Sequence, residues 1–192
     1  STLAHNVGWC IAESLQINTT LVDLDMPYGT LGLNFNEEPS QGVADALSAP
    51  ERLDDVLLDR LLVKATEHLS LFAAPAIVDR NYESDPATFE SVLDAVRRVT
   101  PCVIVDLPHH WSPWVKQTLL ASDDIVIVAT PDLASLRTAK SYIDMVKLVR
   151  PNDPPPKLVM NQTGVPKRPE IPVKDFAETL GVTPSLSLPF DP

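Results

Sequence analysis

Thr-Leu-Val-Asp-Leu-Asp at residues 20–25 and Cys-Val-Ile-Val-Asp at residues 102–106 are apolar runs that each stop on a carboxylate. A buried strand of a parallel sheet reads as a continuous apolar run, because helices cover both of its faces. A carboxylate at the C-terminal end of such a strand stands on the edge where open α/β sheets bind ligands. Two acid-tipped strands in one chain, with Asp23 and Asp25 on the first and Asp106 on the second, point to a magnesium–nucleotide site.

Working outward, apolar strands alternate with helical periodicity along the chain. Residues 2–15 have the spacing of an amphipathic helix with Leu3, Val7, Cys10, Ile11 and Leu15 on one side. Residues 30–50 are mixed in character and are expected to be mobile. A helix is expected over 51–64, with Leu53, Val56, Leu57, Leu61 and Leu62 as its stripe. A short strand follows over 69–74, then a polar surface loop over 77–86. The helix over 87–98 turns Phe89, Val92, Leu93 and Val96 inward. Beyond the second acid-tipped strand come a helix at 113–121, a strand at 124–130 and a helix at 133–149. Pro-Asn-Asp-Pro-Pro-Pro at 151–156 stops that helix. A strand at 158–161, a helix at 173–180 and a strand at 185–188 complete the pattern. The expected fold class is α/β: a doubly wound, mostly parallel sheet with helices on both faces, in a single domain over 1–192.

The 192 residues suffice for a substantial core, and 44% hydrophobic with 21% charged residues is ordinary for a globular domain. The net charge of -11 repels phosphate backbones and argues against a nucleic-acid partner. Lys167-Arg168 is the nearest thing to a basic patch. No apolar run has membrane-spanning length, so no transmembrane segment is expected. Cys10 and Cys102 read as small buried thiols in a reducing, cytoplasmic setting, and the four His and two Cys show no zinc-ligand spacing.

In a nucleotide hydrolase, one strand-end Asp orients the attacking water and others support magnesium or its waters. Either of Asp23 and Asp25 suits the first task, and the other, with Asp106, suits the second. Four apolar residues and an Asp make the Walker B pattern at 102–106. Ser1-Thr2 run straight into a helix, as the closing hydroxyls of a phosphate-binding loop do. A plain N-cap is the competing reading for Ser1. Asn161 ends a strand and serves either a purine edge or a turn. Pro189-Phe190-Asp191 either walls a base or turns the chain. His109-His110-Trp111 follow Asp106 and read as packing or partner contact rather than catalysis. Trp111 and Trp114, three apart, are expected on one face of a turn.

With these residues in place, the chain resembles the ATPase domain of the CpaE/TadZ pilus-assembly proteins, within the ParA/MinD superfamily. Ser1-Thr2 match the end of the superfamily's Lys-Gly-Gly-Val-Gly-Lys-Thr-Thr motif, and Asn6 the Asn that follows it. Leu-Val-Asp-Leu-Asp at 21–25, Ile-Val-Asp-Leu-Pro at 104–108 and Ile-Val-Ala-Thr-Pro-Asp-Leu-Ala-Ser-Leu-Arg at 127–137 match later motifs. The stretches at 54–64 and 165–178 draw the likeness to CpaE. The resemblance implies ATP and magnesium as ligands. It implies that Ser1 ligates magnesium, Thr2 binds the α-phosphate, Asp25 positions the water, and Asp23 and Asp106 tune the metal. Asn161, Pro189 and Asp191 fall at adenine-side positions. It further implies a nucleotide-dependent homodimer that works with pilus-assembly or polar-localisation proteins at a cell pole or the inner face of the inner membrane. The departures are a first strand and glycine loop that are missing, so that the chain is read as N-terminally truncated with two open strand edges. The segment after Asp106 also lacks glycine. Weak ATP binding and inefficient hydrolysis are the expectation. A non-catalytic localisation scaffold and a MinD/ParA-type positioning ATPase are the competing functions.

Overall fold

The computed structural model describes residues 1–26, 28–37, 40–75 and 85–191. The chain divides into two compact units, Ser1–Thr118 and Leu119–Pro192. In the first, the elements run α1 (Thr2–Leu15), β1 (Thr19–Asp23), α2 (Leu31–Asn34), α3 (Val43–Ser48), a short 3-10 turn (Pro50–Arg52), α4 (Asp55–Leu61), β2 (Val63–Lys64), β3 (Leu69–Phe72), α5 (Pro86–Val99) and β4 (Cys102–Asp106), with α6 (Pro113–Ala121) leading on. The sheet order is β2-β3-β1-β4, with β1 parallel to β3 and β4 and only the two-residue β2 antiparallel.

All five residues of β1 are buried, as the centre of a covered sheet demands. Alternation sends Leu21 to one face, with Ala12 of α1, Leu69 and Leu71, and Val22 to the other, with Phe72 and the buried residues of α3, α4 and α5. Helix α5 begins on Asp85, whose side chain accepts from the Ala87 N–H at 3.2 Å, and on Pro86, which suits the first helical position. Its inward residues are Phe89, Val92, Leu93 and Val96, as the spacing predicts.

The second unit contains β5 (Val126–Ala129), α7 (Leu133–Val149), β6 (Lys157–Thr163), α8 (Val173–Leu180) and β7 (Pro184–Pro189), with the all-parallel order β5-β6-β7. Ile127, Ile143, Met160, Phe176 and Leu180 are among its core. Asp132 caps α7 by accepting from the Ser135 N–H at 2.8 Å, and Gly181 ends α8 at φ 64. Among the described residues, β4 is an edge of one sheet and β5 an edge of the other. The α/β class with mostly parallel strands and helices on both faces of the first sheet stands as the sequence implies.

Several local expectations are corrected. The buried face of α1 is His5, Gly8 and Ala12, while Cys10 is exposed and Leu15 is 63% exposed. Small residues bring the helix close to β1, which leaves its larger apolar residues outside. Where described, residues 30–50 carry two short helices, and Val43, Ala44, Ala46 and Leu47 of α3 are buried. The helix expected over 51–64 is only Asp55–Leu61, and it turns in Leu58 with Leu61 rather than Val56. Asp54 sets its start by accepting from the Leu57 N–H at 2.7 Å. Of the loop expected over 77–86, residues 77–84 lie outside the described residues.

Gly8 fixes how closely α1 approaches the sheet. A Cβ there would lie 2.5 Å from Leu21 Cδ2 and 2.8 Å from Cγ, and Leu21 is fully buried. Glycine to alanine inside a helix ordinarily gains about 1 kcal/mol. Here Gly8→Ala should instead lose about 1–3 kcal/mol by overpacking. Urea unfolding checks this, and Gly8→Ala combined with Leu21→Ala should destabilise less than the two single losses added together.

Candidate functional site

Parallel pairing of β1 with β4 sets Asp23 opposite Asp106, and Leu24 N–H donates to the Asp106 carbonyl at 3.0 Å. Asp23 is 1% exposed. Its Oδ1 accepts from the Asp25 N–H and its Oδ2 from the Leu31 N–H, both at 3.1 Å. Burial raises its carboxyl, the two amide donors oppose this and the charges of Asp106 and Asp25 add to it, for a net value of about 6. Asp23 therefore holds the Asp25 and Leu31 amides. Gly29 sits against it, since a Cβ there would lie 2.6 Å from Asp23 Oδ2 and 2.6 Å from the Ala74 Cβ.

Asp106 Oδ1 lies 3.5 Å from the Ser1 nitrogen, and Oδ2 lies 3.7 Å from His5 Nε2. Asp25 is partly buried. Burial raises its carboxyl and the Asp106 charge raises it further, against the opposing pull of His110. Asp25 and Asp106 are thus repelling neighbours beside the start of α1. Ser1 occupies the N-cap position, yet its hydroxyl makes no capping hydrogen bond. Thr2 opens the helix, and its carbonyl accepts from Asn6 Nδ2 at 2.8 Å. His5 is buried, which lowers its pKa against the opposing charge of Asp106.

The segment after β4 is anchored by Trp114, which stacks on Phe89 with ring centroids 4.0 Å apart and planes 7° from parallel. His110 meets the Trp114 ring edge-on at 5.8 Å. Trp111 and Trp114 do not share an environment: Trp114 is buried and Trp111 is 48% exposed. The stacking partner on α5 draws one inward and leaves the other out.

Among the described residues, no group of three or more His, Cys, Asp or Glu is placed to hold a metal ion. Two carboxylates and a hydroxyl do not suit zinc, which takes three or four protein ligands. They suit magnesium, which keeps several waters and uses one or two carboxylates together with substrate phosphates. Asp106 beside the start of α1 offers such a carboxylate, and the repulsion between it and Asp25 is what a nearby cation would relieve.

Asn161, Pro189 and Asp191 belong to the second unit. Thr163 pairs with Pro189, and a register shift separates that pair from the pairing at Met160, across Asn161 and Gln162. Gln162 takes φ 53, and its N–H donates to Asn161 Oδ1 at 3.0 Å. Glu170 ties down the following loop by accepting from the Gly164 and Val165 N–H groups, bonds that keep its carboxyl low. Asp191 is exposed beyond the end of β7.

His5, Gly29 and Asn34 are parts of the first-unit site that the sequence reading does not single out. The one available signal for His5 was a polar ring at i–3 to Gly8 and i–7 to Ala12, the small-residue face of α1.

The chain carries the fold of the ParA/MinD ATPases. It superposes on the ParA family ATPase from Chlorobium tepidum TLS with a TM-score of 0.81 at 24% identity, over 98% of this chain and 77% of that one. The septum site-determining protein MinD from Pyrococcus horikoshii OT3, complexed with Mg-ADP, matches with a TM-score of 0.81 at 17% identity, over 100% and 76%. A chain of the MinC:MinD cell division protein complex of Aquifex aeolicus matches with a TM-score of 0.76 at 20% identity, over 100% and 76%. No family model and no curated protein matches the chain.

The raised Asp23 carboxyl sets a pH dependence. Without metal or nucleotide, the folded state holds that proton to about pH 6, against 3.8 for an ordinary Asp. Between these values the folded state binds more protons than the unfolded one, so stability falls as pH rises. The loss from this group is on the order of 3 kcal/mol, complete above about pH 7. Asp23→Asn should flatten this slope in urea unfolding curves recorded from about pH 4 to about pH 7 with chelator present. An equal slope in both proteins would contradict the assignment. Gly29→Ala, which pushes on the same carboxylate, should destabilise by about 1–3 kcal/mol in the same assay.

Proposed function

We propose that this chain is the magnesium–nucleotide domain of an ATPase-like positioning protein, of the CpaE/TadZ kind that serves assembly or polar localisation of Flp/tight-adherence pili. The observation that carries the reading is the meeting of Asp25 and Asp106 beside the first turn of α1, at the C-terminal ends of two parallel strands. Open α/β sheets bind ligands there, and the N–H groups of a helix start favour phosphate. The ParA/MinD fold supports the nucleotide, and the Mg-ADP held by the Pyrococcus horikoshii MinD supports the metal. The likeness of residues 54–64 and 165–178 to CpaE supports the pilus role.

In this reading Asp106 and the uncapped Ser1 hydroxyl hold magnesium. Thr2 and the amides of the first turn hold the α-phosphate. Asp25 orients the attacking water. Asp23 tunes the metal through the Asp25 and Leu31 amides that it binds. Asn161, Pro189 and Asp191 are proposed for the adenine on the resemblance alone. Bound magnesium supplies counter-charge to the phosphates. A nucleotide-dependent homodimer and a localisation partner complete the proposal, in the cytoplasm at a pole or along the inner membrane. Among the described residues, no helix is long and apolar enough to cross a membrane.

One observation favours the scaffold reading as the second choice. The segment after Asp106 has no glycine and is anchored by the Phe89–Trp114 stack, which leaves it little freedom to rearrange for hydrolysis.

The test uses the full-length protein. Fluorescent ADP should bind in a magnesium-dependent manner, and Asp106→Ala should weaken that binding about 10–100-fold. Asp25→Ala should leave ADP binding close to the unsubstituted value and lower single-turnover ATP hydrolysis about 10²–10⁴-fold. Magnesium-dependent binding with no turnover in the unsubstituted protein selects the scaffold, and no nucleotide binding at all defeats both readings.

A further inference from the structure

His5 is a buried imidazole that the proposed chemistry does not use. It is 4% exposed, on the face of α1 that packs on the sheet. Its Nδ1 lies 2.8 Å from Asn34 Nδ2. An amide nitrogen has only N–H bonds to offer, so Nδ1 accepts. The same amide nitrogen lies 3.4 Å from Thr30 Oγ1. With Nδ1 accepting, the proton of the neutral ring sits on Nε2.

Nε2 faces Asp106 Oδ2 at 3.7 Å. Both atoms are buried, and neither has a hydrogen-bond partner among the described residues. A buried donor and a buried acceptor left unpaired are costly, and native structures rarely keep them so. These two point at each other, and closing the gap by about half an ångström makes an ordinary hydrogen bond. The ring is held from the side by Phe35, edge-on with centroids 6.2 Å apart, and Phe35 in turn contacts Trp9 at 6.1 Å.

We propose that His5 is a positioning residue that donates Nε2–H to Asp106 Oδ2, with its tautomer fixed by Asn34. The bond sets the rotation of the Asp106 carboxylate and leaves Oδ1 turned toward Ser1. The relay Asn34–His5–Asp106 also joins the segment after β1 to the carboxylate at the end of β4, so a displacement at residues 30–34 is felt at Asp106. The purpose given to this contact rests on the magnesium–nucleotide reading above, but the contact itself does not. Outer-shell partners that orient a ligating group typically contribute about 10–100-fold to metal affinity.

The test uses full-length protein with 15N-labelled histidine. Without metal or nucleotide, long-range proton–nitrogen spectra should show His5 as a single neutral tautomer protonated at Nε2. Asp106→Asn should shift the Nε2 resonance, and Asn34→Ala, at an exposed position, should produce a mixture of tautomers. A proton on Nδ1, or a His5 signal indifferent to Asp106→Asn, overturns the contact.

The second arm measures ADP binding across a magnesium series. His5→Leu should raise the magnesium requirement about tenfold or more, with ADP affinity in chelator unchanged. His5→Gln should recover part of the loss, because its amide can still donate. If His5→Leu does not fold, Asn34→Ala carries the comparison and should raise the requirement to a smaller extent. An unchanged magnesium requirement in folded variants overturns the role. If the unsubstituted protein does not bind Mg-ADP, the nucleotide reading fails and takes the purpose of His5 with it. A wrong tautomer with intact Mg-ADP binding defeats only the His5 proposal.

Discussion

Parallel pairing of β1 with β4 places the carboxylates of Asp23 and Asp106 side by side at the ends of two buried strands, and the rest of the first unit accommodates that charge. Each carboxylate is handled differently. Asp23 is withdrawn from water, which raises its carboxyl pKa, and two backbone N–H groups lower it part of the way back. Asp106 stays partly exposed, with the Ser1 nitrogen 3.5 Å from one oxygen and His5 Nε2 3.7 Å from the other. Asp25, two residues beyond Asp23, feels the Asp106 charge. Such a cluster is unfavourable in isolation, and a cation with phosphates would relieve it.

The depth at which α1 lies on the sheet follows from the same constraint. Gly8 and Ala12 face Leu21 and its neighbours with minimal bulk, so the helix start comes down onto the ends of β1 and β4. A helix carrying Leu or Val at those positions would stand off, and Ser1 and His5 would move away from Asp106. The cost is visible on the opposite face of α1, where Val7, Trp9 and Leu15 remain partly or largely exposed.

Much of this was legible in the sequence. An apolar run ending on Asp is decided by local chemistry, so β1, β4 and the three acidic residues were readable, as were α5, α7 and α8. The burial of α1 was not, because periodicity weighs large apolar residues and gives no credit to a glycine. Its apolar stripe pointed to Cys10 and Leu15, and the sheet took His5, Gly8 and Ala12 instead. Residues 51–64 looked like one helix because composition does not show that Asp54 caps a shorter one and that Val63 pairs with Leu71. His5 and Asn34 were invisible as a pair, since their link spans 29 positions and depends on tertiary placement.

The central claim is that Asp25, Asp106 and the start of α1 surround one divalent cation. Manganese is a paramagnetic stand-in for magnesium, and with ADP it broadens the resonances nearest to it. In full-length protein the account predicts the strongest broadening at Ser1, Thr2, Asp25 and Asp106, with His5 close behind. Broadening centred instead on the acidic residues Asp123, Asp124 and Asp153 of the second unit, or an absence of localised broadening, would contradict it.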